Sequence, residues 1–286
     1  MKGIILAGGT GSRLWPITRV VSKQLLPVYD KPMIYYPLST LMHAGIREIL
    51  IITTPEDLNH FKKLLGNGEH LGMKFEYMVQ LEPNGLAQAL IIGEDFLNQE
   101  SCLMILGDNL FHGTGLGGQL ALVGKNSPCE IFTYEVADPN NYGVAHIDKL
   151  NNLISIDEKP TTPKSNLAVT GLYFFDQRAS TFAREILPSS RGEIEITSLI
   201  NKYLDRKEVF VHKLSRGTAW LDTGSINSLH DASSYIRVLE ERTGLKIGCI
   251  EEIAFRNSWI TRQELLKIIN QLKRNSYGEY LARILE

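Results

Sequence analysis

The sequence predicts an α/β protein built on a doubly wound, mixed and mostly parallel sheet flanked by helices. Three observations support this class. Short apolar segments typical of buried strands alternate with helical patterns through about the first half of the 286 residues. From Glu130 onward, strand-like segments follow one another without long helices between them, which predicts antiparallel additions to the sheet. After Asp222-Thr223-Gly224 the pattern becomes helical, so a helical C-terminal tail is expected to pack on the core.

Four apolar segments in the first half predict the parallel strands, and amphipathic segments between them predict helices. Gly45 and Gly66 follow two of these helical segments, where glycine can adopt the left-handed conformation that ends a helix at low cost. The predicted strands are Lys2–Ala7, Glu48–Thr53, Lys74–Val79 and 101–106, and the predicted helices span 34–44 and 57–65.

The second half predicts further strands and then the tail. Ser225 is suited to cap a helix because its hydroxyl can accept a backbone N–H, and Thr261 with Glu264 forms a capping-box pattern before another helix. No linker-like segment or repeat sets the tail apart, so residues 1–224 are predicted to form the core and 225–286 a helical extension of the same domain. The additional strands are predicted at 131–136, Gly143–Ile147, 153–157 and 169–175.

Composition and charge narrow the class of function. A chain with 43% hydrophobic and 22% charged residues has ordinary globular usage, and its net charge of -2 argues against a sequence-independent grip on nucleic acid. Cys102, Cys129 and Cys249 are widely spaced and form no C-x-x-C pair, which favours a reducing, cytoplasmic location over a disulfide framework or zinc site. No apolar run approaches the roughly 18 residues of a spanning helix, so no membrane association is predicted.

The first predicted strand leads directly into a glycine-rich turn, Gly8-Gly9-Thr10-Gly11-Ser12-Arg13. Backbone N–H groups in such a turn can approach a polyphosphate closely because glycine has no Cβ. The dinucleotide fingerprint fails at Leu14, and the Gly-Lys-Ser/Thr ending of a P-loop is missing. Arg13 and Lys23 add positive charge, so the turn predicts a nucleotide phosphate site. For the glycines alone, an ordinary strand-to-helix connection is the alternative.

Asp108 follows the predicted strand 101–106 in the sequence Leu106-Gly107-Asp108-Asn109. The ligand crevice of an open parallel sheet lies at the carboxyl ends of its strands, so Asp108 should share an edge with the glycine turn. A carboxylate that faces phosphate oxygens requires a cation, and Mg²⁺ commonly takes one or two carboxylates together with substrate phosphates. Taken alone, the motif is also typical of an Asx turn.

Asp222, in Trp220-Leu221-Asp222-Thr223-Gly224, offers a second carboxylate. An Asp-Thr-Gly triplet also occurs in aspartic proteases, but those enzymes need two triplets whose carboxylates share a proton. This chain has one, which excludes a monomeric protease.

A charged turn, Glu158-Lys159-Pro160, follows another predicted strand. The residue before proline avoids the right-handed helical region, so Lys159 is predicted to be extended or in a turn, with its ammonium fixed in direction. That ammonium suits a phosphate monoester, and Glu158 can accept from hydroxyls. Tyr142-Gly143 allows either close backbone approach to a ligand or simply the start of a strand. The alternative for Glu158-Lys159-Pro160 is an exposed charged turn.

In this order, the motifs resemble those of the bacterial glucose-1-phosphate thymidylyltransferases, a branch of the sugar-1-phosphate nucleotidyltransferases. The resemblance runs from Met1 to about Arg256 and is most specific in the block that begins Ser22-Lys23-Gln24-Leu25-Leu26-Pro27 and ends Tyr35-Tyr36-Pro37. It implies a Rossmann-like nucleotide-diphospho-sugar transferase fold. It also implies transfer of a thymidylyl group from dTTP to α-D-glucose 1-phosphate, the entry step to dTDP-rhamnose synthesis. Further matches are Gly85-Leu86-Ala87-Gln88-Ala89, Asp138-Pro139, Thr170-Gly171-Leu172-Tyr173 and Arg191-Gly192-Glu193.

The resemblance also implies roles for individual residues. It implies Mg²⁺ held by Asp108 and Asp222, and catalysis by charge and positioning through these two carboxylates with Arg13, Lys23 and Lys159. The implied nucleotide-binding residues are Gly8, Gly9, Thr10, Gly11, Arg13, Lys23, Gln24, Gln80, Gly85 and Asp108. The implied sugar-phosphate-binding residues are Tyr142, Gly143, Glu158, Lys159, Val169, Arg191 and Trp220.

In the tail, the resemblance implies a second, regulatory nucleotide site with subunit contacts, and hence feedback inhibition and a homotetramer. The residues implied there are Cys249, Glu252, Ile253 and Arg256. Two alternatives stay open. The chain could use UTP or another sugar 1-phosphate, because one methyl group is worth only about 1–3 kcal/mol in a pocket. It could also be a catalytically silent nucleotide-sugar-binding regulatory protein.

Overall fold

A computed structural model of the chain describes residues 1–272 and 275–286, which contain thirteen strands and eleven α-helices. The strands are β1 (Lys2–Ala7), β2 (Pro27–Val28), β3 (Lys31–Pro32), β4 (Glu48–Thr53), β5 (Lys74–Val79), β6 (Cys102–Leu106), β7 (Asn109–His112), β8 (Cys129–Glu135), β9 (Gly143–Ile147), β10 (Leu153–Glu158), β11 (Leu167–Phe175), β12 (Val209–Lys213) and β13 (Ala219–Asp222). The helices are α1 (Tyr35–His43), α2 (Leu58–Leu65), α3 (Gln88–Ile92), α4 (Glu94–Leu97), α5 (Leu116–Leu120), α6 (Ala179–Arg184), α7 (Ile196–Leu204), α8 (Ile226–Thr243), α9 (Ile250–Arg256), α10 (Arg262–Leu272) and α11 (Ser276–Ile284).

The parallel part of the nine-stranded central sheet has the strand order β5-β4-β1-β6. The chain builds outward from β1 through β4 to β5, and then returns to the other side of β1 with β6. The strand order therefore reverses between β1 and β6, and doubly wound sheets bind ligands at the carboxyl ends of the strands beside such a reversal. Gly8 follows β1 and Gly107 follows β6, and the Gly107 N–H donates to the Leu6 carbonyl at 2.9 Å. Both turns thus lie at the predicted ligand edge.

The antiparallel part of the sheet is centred on β11. This strand pairs antiparallel with β6, with β8 and, at its N-terminal end, with β9. Strand β10 pairs antiparallel with β9, and β12 runs parallel to β8. The predicted α/β fold with a mixed sheet is confirmed, and every predicted strand or helix boundary lies within two residues of the observed one.

A separate two-stranded ribbon, β7 and β13, brings the second half of the chain back to the ligand edge. In its antiparallel register, Asp222 lies opposite Asn109. Strands β7, β12 and β13, which have four or five residues each, are absent from the sequence prediction. This ribbon is what places the two predicted metal ligands side by side.

Apolar side chains pack against both faces of the central sheet. Successive strand residues point to opposite faces, so in β1 Ile5 belongs to one buried cluster and Ile4 to the other. Leu38 of α1 and Ile253 of α9 join the first cluster, and Leu199 of α7 joins the second. Among residues 1–272 and 275–286, no helix has the length and apolar character needed to cross a membrane.

The C-terminal helices begin where the sequence predicts. The Ser225 hydroxyl accepts the Ser228 N–H at 3.1 Å, and the Ser228 hydroxyl accepts the Ser225 N–H at 3.0 Å, which together form the capping box of α8. Ala232 of α8 is buried in one cluster with Val28 of β2. These contacts are compatible with one domain in which residues 225–286 extend the core of residues 1–224. That division stays a prediction.

Glu130 in β8 is a fully buried carboxylate with four hydrogen-bond partners. Its Oε1 accepts the backbone N–H groups of Gly124, Asn126 and Ser127 at 3.1, 2.9 and 3.3 Å, and its Oε2 lies 2.6 Å from His212 Nε2. Burial acts to raise the pKa of Glu130, but the hydrogen bonds from His212 and Asn126 outweigh it and hold the pKa below the ordinary 4.5. The ionised carboxylate therefore anchors the loop that precedes β8.

Replacing Glu130 by glutamine is expected to lower the free energy of unfolding by about 2 kcal/mol, because a neutral amide accepts the three backbone N–H groups more weakly and loses the charge-assisted hydrogen bond with His212. A carboxyl group whose pKa is lowered by folding stabilises the protein above its ordinary value of 4.5, and this contribution is lost as the pH falls. Urea unfolding at neutral pH and at about pH 4 measures both effects. The parent protein should lose more stability between the two pH values than the variant, and equal stability of both proteins at neutral pH would contradict the prediction.

Candidate active site

A cleft of about 430 Å³ lies at the carboxyl ends of β1 and β6. Most residues that the sequence predicts for nucleotide, metal and phosphate binding line it, although they come from turns far apart in the chain. The predicted residues in its lining are Gly8, Gly9, Thr10, Gly11, Arg13, Lys23, Gln80, Gly85, Asp108, Glu158, Lys159, Arg191 and Asp222.

The glycine-rich turn forms one wall of the cleft. Gly9 and Gly11 have φ angles of 94° and 58°, a region that favours glycine. A Cβ on Gly11 would also lie 3.2 Å from Thr18, whose hydroxyl donates to the Gly11 carbonyl at 2.7 Å. Within the described part of the chain, the N–H groups of Gly9, Thr10 and Gly11 donate no hydrogen bond to another protein group. The turn can therefore offer these donors to an anion.

Two cations stand beside this turn. The Lys23 ammonium donates to Asp108 Oδ2, and both side chains are only 16% exposed. Arg13 lies next to Asp222: a Cβ built on Gly224 would be 3.5 Å from Arg13 Nη1 and 3.2 Å from Asp222 Oδ1. The cleft thus holds a matched set of two cations and two carboxylates.

Asp108 and Asp222 approach each other from opposite halves of the chain. Thr223 fastens the two segments together, because its hydroxyl and its N–H both donate to the Asp108 carbonyl, at 2.8 and 3.2 Å. Burial, followed by the charge of Asp108, raises the pKa of Asp222 to about 6. For Asp108, burial acts in the same direction, but the Lys23 ammonium holds its pKa below the ordinary value. The charge of Asp108 is thus largely compensated by Lys23, whereas Lys23 and Arg13 offset the burial of Asp222 only in part.

The chemistry of this pair fits a hard divalent cation. Two carboxylates close together in a poorly hydrated site repel each other, and Mg²⁺ relieves such repulsion through the oxygen ligands it prefers. In residues 1–272 and 275–286, no group of three or more His, Cys, Asp or Glu side chains is arranged to hold a metal ion. Mg²⁺ sites that act on nucleotides commonly use one or two carboxylates, and waters and phosphate oxygens complete the shell.

A side pocket of about 130 Å³ continues from the cleft. It shares Glu158 and Lys159 with the cleft and is closed by Tyr142, Gly143 and Val169, three of the residues predicted for sugar binding. Val169 and Tyr142 supply apolar and aromatic surface, and Glu158 supplies an acceptor. An apolar wall with a few polar groups is typical of a small-ligand site.

Lys159 has an unusual backbone conformation at the junction of the cleft and the side pocket. Its φ is 44°, so it avoids the right-handed region as predicted, but it is left-handed rather than extended. Its N–H donates to the Tyr142 carbonyl at 3.0 Å, and this bond to a neighbouring loop fixes the turn. Its ammonium, on a side chain that is 43% exposed, lies 3.9 Å from Glu158 Oε1. Lys159 is therefore held in place but available to an anion.

Arg191 lines the cleft and is held by carboxylates, one of which, Glu158, also lines the side pocket. Its Nη2 donates to Glu195 at 2.8 Å and to Glu158 Oε1 at 3.4 Å. Burial raises the pKa of Glu158, and the neighbouring Lys159 and Arg191 oppose that rise. Arg191 thus lies where predicted, and it also orients Glu158.

Two predicted contact residues lie one layer behind the cleft wall. Gln24 is 3% exposed, and its Oε1 accepts the Ser22 hydroxyl at 2.6 Å beneath Gly107. Trp220 is buried behind Tyr142, with the ring centroids 5.0 Å apart in an edge-on arrangement. Direct contact of Gln24 with the base and of Trp220 with the sugar stays a prediction. In this geometry both side chains support residues that line the wall.

The proposed regulatory residues of the tail lie on or beside α9, outside the cleft. Cys249 and Ile253 are buried, whereas Glu252 pairs with the more exposed Arg256 at 2.7 Å. Glu252 also accepts the Tyr280 hydroxyl of α11. The contacts tie α9 to the last helix, and a regulatory role for these residues stays a prediction.

Several residues of the site carry no assignment in the sequence prediction. Asn109 donates to the Asp108 carboxylate, and Thr223 donates to the backbone carbonyl of Asp108. Glu195 accepts from Arg191, and Gln88 accepts the Gln80 amide at 2.6 Å. Tyr173 lines the side pocket. All five stand next to or within the motifs quoted above, so a motif locates them, but only the folded chain reveals which group each one holds.

Comparison with known proteins identifies the family. A family model described as nucleotidyl transferase matches residues 2–238. Glucose-1-phosphate thymidylyltransferases of Neisseria meningitidis and Mycobacterium tuberculosis are 50% and 51% identical to this chain, over 100% of its length and 100% and 99% of theirs.

Solved structures agree with this grouping. A Bacillus anthracis protein described as a glucose-1-phosphate thymidylyltransferase, in complex with sucrose, has a TM-score of 0.77 and 41% identity, covering 83% of this chain and 95% of that one. A UDP-glucose pyrophosphorylase in complex with UDP-glucose has a TM-score of 0.74 and 26% identity, covering 83% of this chain and 98% of that one. This chain belongs to the nucleotidyl transferase family and, within it, to the glucose-1-phosphate thymidylyltransferases.

Proposed function

We propose that the cleft transfers the thymidylyl group of dTTP to α-D-glucose 1-phosphate, giving dTDP-glucose and pyrophosphate. The observation that carries this proposal is the meeting of a glycine-rich turn, a carboxylate pair and Lys159 in one cleft that continues into a sugar-sized pocket. The full-length relatives at about half identity bear the name of this reaction. A phosphate oxygen of glucose 1-phosphate attacks the α-phosphorus, and the bond from that phosphorus to the bridging β-phosphate oxygen breaks.

The central obstacle is repulsion between two anions. A pair of unit charges about 4 Å apart costs roughly 4 kcal/mol at an effective dielectric constant near 20. The attacking oxygen is already ionised, so the reaction needs no general base. The protein must instead hold the reactants in line and compensate their charge, which predicts inversion at the α-phosphorus and no covalent enzyme intermediate.

Residues at different places in the cleft bind different parts of the two substrates. The N–H groups of the glycine turn bind the triphosphate, and Arg13 and Lys23 draw charge toward the departing pyrophosphate. Lys23 can leave Asp108 for a phosphate without leaving the cleft, because its ammonium already lies inside it. Lys159 holds the incoming sugar phosphate, with Glu158 accepting from sugar hydroxyls.

Asp108 and Asp222 are the proposed ligands of Mg²⁺, because they are the two carboxylates of the cleft that lie together at the phosphate end. When bound there, Mg²⁺ supplies positive charge to the phosphate oxygens. The two side chains fix the place of that charge, and Thr223 keeps them in register.

Gln80 and Gly85 are the proposed contacts for the base. Gln80 is oriented by Gln88, and its Oε1 lies close to Gly8, since a Cβ built there would be 2.8 Å away. One amide group cannot strongly exclude uracil, because the missing methyl is worth only about 1–3 kcal/mol. We therefore expect dTTP to be preferred and UTP to be used at a lower rate.

The homotetramer and the cytoplasmic location are part of this proposal. All three cysteines are unpaired and buried, which is compatible with a reducing compartment. The homotetramer is what the resemblance of the tail to the family implies.

The test is pyrophosphate release by the purified full chain with glucose 1-phosphate, Mg²⁺ and each nucleoside triphosphate separately. Turnover should be fastest with dTTP, should stop when EDTA removes the metal, and should return when excess Mg²⁺ is added. Omission of glucose 1-phosphate is the control for simple triphosphate hydrolysis. No turnover with any triphosphate would favour the regulatory-protein alternative, and faster turnover with UTP would overturn the choice of nucleotide.

A further inference from the structure

Asn109 is a buried residue, 2% exposed, that lies between the proposed metal site and the sugar pocket. Its Nδ2 donates to Asp108 Oδ1 at 2.9 Å. Its Oδ1 accepts two hydrogen bonds, from Trp220 Nε1 at 2.6 Å and from the Gly171 N–H at 3.2 Å. One amide group thus binds a proposed metal ligand on one side and a residue behind the sugar pocket on the other.

The orientation of this amide is fixed by its partners. An asparagine amide has one acceptor oxygen with two lone pairs, and here both receive an N–H donor. A flipped amide would turn its NH₂ toward two donors and its oxygen toward the Asp108 carboxylate, so all three hydrogen bonds would be lost. Space is restricted as well, because a Cβ on Gly171 would lie 2.8 Å from the amide. Asn109 therefore has a single favourable arrangement.

The hydrogen bonds of Asn109 extend to the wall of the sugar pocket. Trp220 packs edge-on against Tyr142, with a centroid separation of 5.0 Å, and Tyr142 lines the side pocket. Trp220 lies in β13 two residues before Asp222, and Asp222 is paired with Asn109 in the ribbon. A shift of the Asp108 carboxylate, of the indole or of the ribbon would therefore disturb the same amide.

We propose that Asn109 is a positioning residue that fixes the Asp108 carboxylate for a divalent cation and couples cation binding to binding of the sugar phosphate. This inference rests on the proposed function and adds to it a residue that acts through Asp108 and Trp220. Outer-layer partners of metal ligands commonly change metal affinity 10–100-fold when they are removed. Coupling between two adjacent sites through one rigid group gives the ligands a mutual effect on affinity, equal in both directions.

The experiment measures binding rather than turnover, with Mn²⁺ as the probe. Mn²⁺ affinity of the full chain is measured by electron paramagnetic resonance, and glucose 1-phosphate affinity by calorimetry with and without Mn²⁺. In the Asn109→Ala variant, the dissociation constant for Mn²⁺ should rise about 10-fold or more. The gain in sugar phosphate affinity that Mn²⁺ gives the parent protein, expected to be about 5-fold or greater, should disappear.

Trp220→Phe is the matched variant, because it keeps an aromatic ring while it removes the indole N–H that Asn109 accepts, together with the five-membered ring that carries it. It should bind Mn²⁺ within about 3-fold of the parent but weaken sugar phosphate binding about 5-fold, the size of one hydrogen bond. It also keeps the inference testable if the Asn109→Ala variant fails to fold. Folding of both variants is checked by thermal unfolding.

The outcomes separate the inference from the proposed function. If folded Asn109→Ala binds Mn²⁺ like the parent, or keeps the full coupling, Asn109 does not position the site. If Trp220→Phe leaves the sugar phosphate affinity and the coupling unchanged, the hydrogen bond from the Trp220 indole to Asn109 does not link the two sites. If the parent chain itself binds neither Mn²⁺ nor glucose 1-phosphate, the proposed function fails instead.

Discussion

Replacing Asp108 by asparagine is expected to lower the rate of nucleotidyl transfer by about 10³-fold or more, the loss typical of removing a main electrostatic contact of a transition state. The substitution removes one of two proposed metal ligands while keeping the size of the side chain. It also breaks the ion pair between Lys23 and Asp108, which leaves Asp222 as a neighbouring carboxylate of that ammonium. Loss of the metal ligand weakens the positive charge offered to the phosphates at the point where the new bond forms.

The measurement is steady-state pyrophosphate release at saturating dTTP and glucose 1-phosphate, over a range of Mg²⁺ concentrations. The thermal midpoint should change little, because Lys23 can turn toward solvent. Asp231→Asn, a change at an exposed position on α8 away from the cleft, is the matched control and should keep the parent rate. A folded Asp108→Asn protein with the parent rate would remove the metal from the mechanism.

Replacing Lys159 by alanine is expected to reduce kcat/KM for glucose 1-phosphate about 10²-fold to 10³-fold. Lys159 is the proposed contact that offsets the charge of the incoming sugar phosphate, and a charge-assisted contact to a reacting group contributes about 3–4 kcal/mol to stabilisation of the transition state. The KM for dTTP should change much less, because the glycine turn, Arg13 and Lys23 bind that substrate. An equal fall in kcat/KM for glucose 1-phosphate and for dTTP would contradict the proposal that the two ends of the cleft bind different substrates.

The Lys159→Gly variant distinguishes the effect of losing the ammonium group from the effect of the backbone conformation. Because φ is 44° at this position, a side chain with a Cβ is strained there and glycine is not. The alanine and glycine variants should therefore lose activity equally, whereas the glycine variant should unfold at a higher temperature than the alanine variant, by the equivalent of about 1 kcal/mol. If both variants unfold at the same temperature, the left-handed conformation costs the chain nothing.

The strands and helices that follow a strong local pattern could be predicted from the sequence, and those defined by their partners could not. Strands β1 and β4 are largely apolar and buried on both faces, whereas β5 is less buried and begins with alternating polar and apolar residues. The bounds of all three strands were predicted to the residue. The ribbon of β7 and β13 has no such pattern. Each of its strands exists because the other one pairs with it, and that pairing joins residues more than a hundred positions apart.

In the candidate site too, some residues could be predicted from the sequence and others could not. Gly9, Gly11 and Asp108 could be predicted because a required backbone conformation or charge restricts the residue type at a strand end. The supporting residues could not be assigned, because asparagine and threonine occur in many turns and only the fold decides their partners. Asn109 shows this directly, since the sequence places it beside Asp108 but cannot reveal that Trp220 donates to it. The left-handed Lys159 was missed because only its bond to a neighbouring loop, and not a local preference, holds it there.

The ribbon of β7 and β13 also determines when the protein can begin to work during its synthesis. Asp108 leaves the ribosome long before Asp222, and the two carboxylates meet only after β13 has been made and has paired with β7. A nascent or prematurely terminated chain can complete its parallel strands and its glycine turn, yet it lacks half of the proposed cation-binding pair. A catalytic assay therefore counts only molecules that were translated past this late strand.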